Sequence, residues 1–459
     1  MQITLQTLLH PGDDAVDTVA DLLIAVVRSV PVNSQDAYNL ARTIAPIAAQ
    51  LGPCIERARE EEDGDAQSVY TRLSTELCES FFDVILGEYD AYTVFVQNLL
   101  NCMRFDDLEL IPMAFHFWAD FSEALVSDSH LQARRHFAAV YSAIAEIMLD
   151  HLRYPDDLSE WTAEERDHFR SFRHDMGHLL KDAIDVLGHE PVLSLPLNRL
   201  TALLGANGSP WQAIEAPLFS FRAMGSKVPD NENVILPRLF GEIMPRLPAH
   251  PKIRYAATLV IGTYAPWAKE HPSIVDWMMR YIAETFNMKD ADGASANASA
   301  NANAKSNPST GHSAGTGTGT GTNTNTSVAL DRPELDGAAA LALKHLCKAC
   351  PELLTPYLSQ LTPFYESAPR TLSKYDLAEV TEALAQILSA MPAQDCLHLL
   401  QQFCLPIAAP LHQFSQADPA TLTEGGVNVG PVTGPSFGLD HMNMDHDTVK
   451  KTDPVLPAL

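Results

Sequence analysis

Apolar residues recur at helical spacing along most of this chain. Val16, Val19, Ala20, Leu22, Leu23, Val26 and Val27 fall three, four and seven apart and form one apolar face. Phe81, Phe82, Val84, Ile85, Tyr92, Phe95, Val96, Leu99 and Leu100 repeat the pattern in two runs, and Phe137, Val140, Tyr141, Ile144, Ile147 and Met148 form a further stripe that stops at Tyr154-Pro155. Alternating β-branched runs bounded by Asn-Gly or Asp-Gly are absent, so the pattern predicts helices throughout and an all-α fold.

Two stretches break the pattern. Residues 291–329 are almost entirely Ala, Ser, Asn, Gly and Thr, with a Gly-Thr repeat from Gly315 to Thr322. They offer no aromatic and hardly any large aliphatic to offset the entropy of ordering, so a disordered insert is expected. Residues 416–459 are rich in Gly, Pro, Asp and Thr and read as a disordered C-terminal tail. The predicted organisation is a helical solenoid over 1–290, the insert, a continuation of the solenoid over 330–415, and the tail.

The helices also repeat. Val234–Leu247 is predicted as one helix, 248–251 as a turn, and Lys252–Ala268 as its partner; Pro272–Phe286 opens the next pair. Beyond the insert follow Pro333–Cys350, Leu353–Tyr365 and Lys374–Met391. Ile253 and Leu377 occupy equivalent second-helix positions. With the insert set aside, their separation is two steps of about 42 residues, within the HEAT-repeat period of roughly 40–47 residues. The expected architecture is a HEAT-like helical-repeat solenoid, a right-handed superhelix of antiparallel helix pairs, each covering its neighbour's apolar face.

Composition narrows the function. Against 58 Asp and Glu stand 31 Lys and Arg, a formal charge of −27, and the densest basic runs are pairs such as Arg134-Arg135. A phosphate backbone would be repelled, so direct nucleic-acid binding is not expected and basic partners are. Seven cysteines, an odd number spread thinly, fit a reducing compartment better than a disulfide framework. No apolar run approaches the ~20 residues of a membrane span, and Met1 is not followed by a signal-peptide pattern, so a soluble intracellular protein is expected.

Five segments resemble the importin-β superfamily, specifically the transportin-SR group and its fungal mRNA-transport-regulator relatives. They are Leu110-Ile-Pro-Met-Ala-Phe-His-Phe-Trp118, Phe172-Arg-His-Asp-Met-Gly-His-Leu-Leu-Lys-Asp-Ala-Ile-Asp-Val-Leu-Gly188, Trp211-Gln-Ala-Ile-Glu-Ala-Pro-Leu-Phe219, His250-Pro-Lys-Ile-Arg-Tyr-Ala-Ala-Thr-Leu259 and Ala340-Leu-Ala-Leu-Lys-His-Leu-Cys-Lys-Ala-Cys350. Their order and spacing agree over about residues 15–415. The resemblance implies a nuclear import receptor, or a fragment of one. Such a receptor carries RNA-binding proteins with Arg/Ser- or Arg/Gly-rich segments through the pore, shuttles between cytoplasm and nucleus, and releases cargo to GTP-loaded Ran. It implies Phe-Gly nucleoporins as further partners, and a monomer is expected. The matched segments correspond to a middle section of such a receptor. No counterpart of the Arg-rich helix that reads phosphorylated cargo is found, so no Ran or phospho-cargo residue is transferred to a numbered position. The alternative is a Ran-independent HEAT-repeat scaffold or adaptor.

The residues with chemical potential have plainer readings. His174 and His178 lie one helical turn apart near His168, but the Glu of a zinc protease is missing and Gly177 weakens the platform; no metal is expected. Cys347 and Cys350 share a helix face and read as core, as do Phe115, Phe117, Trp118 and Phe121, although those rings could also receive Phe-Gly repeats. Asp182 and Asp185 read as exposed or capping groups rather than a catalytic pair. Phosphate-loop, dinucleotide and nucleophile-elbow motifs are missing, so neither enzyme activity nor a cofactor is expected. The candidate partner-binding residues are the acidic run Glu60, Glu61, Glu62, Asp63 and Asp65, read as a solvated loop that could also recruit a basic cargo or Ran. One consequence concerns the insert: deleting 291–329 is expected to leave the melting temperature nearly unchanged, and a large drop in calorimetry would show that it packs.

Overall fold

A computed structural model of the chain describes residues 15–288 and 332–403, apart from residues 33, 160, 207, 395, 398 and 402. The predicted insert and the predicted tail lie outside the described residues. Every regular element among those described is helical.

The elements are α1 (Ala15–Arg28), α2 (Gln35–Glu60), α3 (Gly64–Ser80), α4 (Phe82–Gly87), α5 (Tyr89–Cys102), α6 (Phe115–Val126), α7 (Leu131–His151), α8 (Ala163–Leu187), α9 (His189–Gly205) and α10 (Trp211–Met224). There follow α11 (Leu236–Arg238), α12 (Pro251–Thr263), α13 (Ala265–Glu270), α14 (Val275–Phe286), α15 (Arg332–Ala349), α16 (Pro351–Leu354), α17 (Leu358–Ser367) and α18 (Lys374–Ser389). They pack as two ladders. One runs through the second helices, α1, α3, α6, α8, α10, α12, α15 and α18, each against the next; the other begins α2, α5, α7, α9. Ile253 on α12 and Leu377 on α18 are separated by α15 alone on the first of these ladders, which is the two-step relation the sequence period predicts.

Local chemistry sets the boundaries. Thr162 and Glu165 form a reciprocal capping box at the start of α8, and Gly188, at φ +88°, ends that helix in a conformation that favours glycine. Proline explains where the expected helices differ from the observed ones. Val234–Leu247 is not one helix: α11 passes into a π turn at Leu239–Ile243 and then a 3₁₀ turn at Met244–Arg246. Pro245 has no N–H to continue the α ladder, so the backbone changes register around it. Lys252–Ala268 likewise divides at Tyr264, two residues before Pro266. Leu353–Tyr365 is interrupted by a 3₁₀ turn that contains Pro356.

The core is continuous along the stack. Phe117, Trp118 and Phe121 on α6 are fully buried. Phe121 stacks on Phe117 at 5.0 Å and meets Phe137 of α7 edge-on at 5.0 Å, while the Tyr141 hydroxyl donates to the Trp118 carbonyl oxygen at 2.8 Å. Small residues let the second helices approach closely. A Cβ at Gly177 of α8 would lie 3.1 Å from the Ala223 Cβ of α10, and one at Gly262 of α12 would lie 3.1 Å from the Ala342 Cα of α15.

A seam of charge crosses the same ladder. Arg173 on α8, 3% exposed, donates from Nη2 to both carboxylate oxygens of Glu215 on α10, at 2.7 and 3.0 Å. Its guanidinium lies between the rings of Tyr154 and Phe219, 4.4 and 4.0 Å from their centroids. Lys252 at the start of α12 continues the seam: burial holds its ammonium below the usual lysine range, opposed by the fields of Glu334 and Glu215. Arg254 joins α12 to α14 by donating to Thr285 Oγ1 at 2.8 Å and to the Tyr281 carbonyl oxygen at 2.6 Å. Removing one member of a buried pair leaves the other uncompensated. Arg173→Met is therefore expected to cost about 3–5 kcal/mol in denaturant unfolding, and Arg173→Met with Glu215→Leu to recover most of it. Equal losses in the single and double variants would show that the pair itself carries little.

Candidate partner surface

The acidic run that stands out in the sequence occupies the turn between α2 and α3. Glu60 ends α2, Glu61 follows it, and Glu62 takes φ +52°. Asp63 caps α3, its Oδ1 accepting from the Ala66 N–H at 3.1 Å, and Asp65 lies in the first turn, where a carboxylate complements the helix dipole. Two of the five thus have a structural reason to be acidic. Glu60, Glu61, Glu62 and Asp65 are exposed.

A second concentration of acids is assembled only by the fold. Near the C-terminal end of α3, roughly 20–25 Å along the helix from Asp63, stand Glu76 and Glu79. Burial raises the Glu79 carboxyl, and the fields of Glu76 and of Asp120 on α6 add to the rise. Asp120 and Glu123 then face Asp182 and Asp185 of α8 across a groove of about 500 Å³, with Ser122 and Val126 on its wall. Asp182 is pushed up to about 6 by burial and then by Asp185, while Lys227 and Lys181 oppose the shift. Arg134 of α7 donates to the carbonyl oxygens of Asp185 and Val186 at 2.8 and 2.7 Å and so fixes the end of α8. Acids from three successive second helices therefore form one row. The sequence reads Asp182 and Asp185 as exposed or capping groups rather than a catalytic pair; the fold half-buries both and sets them opposite Asp120 and Glu123. The signal that could have joined them to Asp120 is that their helices are successive members of one ladder.

The remaining candidates are placed as follows. The rings of His174 and His178 meet edge-on at 5.0 Å on an exposed face of α8; among the described residues no group of three or more His, Cys, Asp or Glu is placed to hold a metal ion. Cys347 and Cys350 are buried, and burial raises both thiols, Cys350 to about 11. Phe115 is half-buried against Phe172 at 6.3 Å, and the other three rings of its cluster lie in the core. No helix among the described residues is long and apolar enough to cross a membrane.

Paired helices stacked into two ladders define the class, a helical-repeat solenoid like those of the karyopherins. Importin-13 in its cytosolic state superimposes with a TM-score of 0.67 at 16% identity, over 89% of this chain and 45% of that one. Kap121p bound to RanGTP superimposes with a TM-score of 0.56 at 14% identity, over 85% and 34%. Within that class, residues 62–151 match the Transportin-3/Importin-13 second TPR domain. The chain is 28% identical to the mRNA transport regulator MTR10 of Saccharomyces cerevisiae over 83% of its own length and 36% of that protein. It is 21% identical to human importin-13 over 86% and 38%. The chain is thus a homologue of the transportin and importin-13 karyopherins, and it spans little more than a third of the length of these two relatives.

The groove carries a titration that can be checked directly. The Asp182 carboxyl is expected to titrate at about 6 by carbon-13 NMR, and to fall towards the ordinary range in Asp185→Asn. An unshifted midpoint near that of a free aspartate would contradict the half-buried setting.

Proposed function

We propose that the chain is a nuclear transport receptor, or part of one, that shuttles between cytoplasm and nucleus, imports RNA-binding proteins with basic Arg/Ser- or Arg/Gly-rich segments and releases them to GTP-loaded Ran. The observation that carries the cargo class is the row of carboxylates on α3, α6 and α8, ending in the groove of Asp120, Glu123, Asp182 and Asp185. An extended cationic segment laid across that row gains several weak ion pairs at once and is steered there by the net charge of −27. The turn of Glu60, Glu61, Glu62, Asp63 and Asp65 stands at the far end of α3 and serves as an outlying acidic contact. Phe-Gly nucleoporins fit the role, and nothing in the reading requires chemistry on the cargo.

A synthetic Arg/Ser-repeat peptide tests this by fluorescence anisotropy. Asp120→Asn with Glu123→Gln is expected to weaken binding about fivefold or more at low salt, with a smaller effect from neutralising the five acids of the α2–α3 turn. The sign with pH follows from Asp182: above about 6 it is charged and adds attraction, so affinity rises between about pH 5 and about pH 7. Peptide that binds both variants equally would move the cargo surface elsewhere. GTP-loaded Ran is expected to release the peptide; peptide that stays bound at saturating Ran marks the Ran-independent scaffold instead.

A further inference from the structure

One wall of the groove already holds a cation. Lys227 Nζ donates to both carboxylate oxygens of Asp185, at 3.0 and 2.7 Å. The lysine ends the 3₁₀ turn Gly225–Lys227 that follows α10. That turn has a fixed base, because a Cβ at Gly225 would lie 2.1 Å from Thr263 Cγ2 of α12, and the Val228 N–H closes it on the Gly225 carbonyl oxygen at 3.2 Å. Only the flexible lysine stem is free to swing. Its ammonium is seated where a partner's Lys or Arg would have to sit.

Arg134 reaches the same helix end differently. It donates to backbone carbonyls, and so leaves the Asp185 carboxylate unspent. Lys227 neutralises a groove carboxylate from another element. The Lys227 and Asp185 side chains are 40% and 35% exposed, so water can replace the pair as it opens and its rupture changes an equilibrium by only a few-fold.

We infer that Lys227 is a tethered competitor for the groove, holding Asp185 in the free protein and giving it up when a basic segment binds. The inference rests on the reading of the groove as a docking place for basic cargo. Its effect is selective: a segment with few cations cannot offset the loss of the internal pair, whereas one with many can. The device raises the charge a partner must bring without closing the groove to it.

The experiment uses the whole chain and the Arg/Ser-repeat peptide. Lys227→Gln is expected to tighten binding about two- to fivefold. Lys269→Gln, which removes an exposed cation from the end of α13, is expected to change it little and so separates a local effect from net charge. In Asp185→Asn the benefit of Lys227→Gln disappears. A second readout follows the amine itself: acylation of Lys227, measured by mass spectrometry, is expected to speed up when peptide is bound. Equal tightening by Lys227→Gln and Lys269→Gln, or a gain that persists in Asp185→Asn, would overturn the competitor while leaving the groove in place. Slower acylation with peptide bound would do the same. Peptide affinity indifferent to Asp120→Asn, Glu123→Gln and Lys227→Gln alike would overturn the groove reading and the inference with it.

Discussion

A pair of helices cannot bury both flanks of its apolar stripe, and that constraint governs the whole molecule. Each pair is covered only by the next, so the distance between successive second helices decides whether the core closes. Gly177 against Ala223 and Gly262 against Ala342 set that distance at two steps of the stack, where a side chain would hold the backbones apart. Large rings fill the core on α6, where Phe117, Trp118 and Phe121 are buried. Arg173 belongs to the same accounting. It enters the core because Glu215 satisfies its charge and Tyr154 and Phe219 flank its plane.

The close ladder also explains the acidic row. Helices that stack in register bring equivalent positions side by side, so one carboxylate per helix becomes a line of carboxylates. Such a line repels itself, and the molecule meets this in two ways. Asp182, already raised by burial, is pushed further towards neutrality by Asp185, and Arg28 and Lys227 are drawn onto Glu76 and Asp185. A basic partner would relieve the same repulsion, which is why the row attracts one.

Much of the fold was legible in the sequence because burial imposes periodicity. The apolar stripes gave the helices, and the step of about 42 residues gave the pairing of α12, α15 and α18. The prolines were less legible. Pro237 and Pro245 each open a short helical element, and the residue alone does not say of which type. The candidate surface was hardest to read. A run such as Glu60–Asp65 is visible because its charges are neighbours in the chain, yet Asp63 is largely accounted for as a helix cap. Asp120 and Asp182 are far apart in sequence and meet only through the packing of α6 on α8. Isolated acids on a chain of −27 look like solvation until a register is assigned to them.

The break at Leu239–Ile243 gives the stack a mechanical handedness of its own. Along the second helices α10, α12 and α15 each pack on the next, with α12 and α15 in backbone approach at Gly262 and Ala342. Along the first helices the same stretch is divided into an α turn, a π turn and a 3₁₀ turn. A rod that is stiff on one side and jointed on the other bends about its stiff edge. The acidic row lies on α3, α6 and α8, ahead of this joint, so bending there leaves the spacing between its carboxylates unchanged.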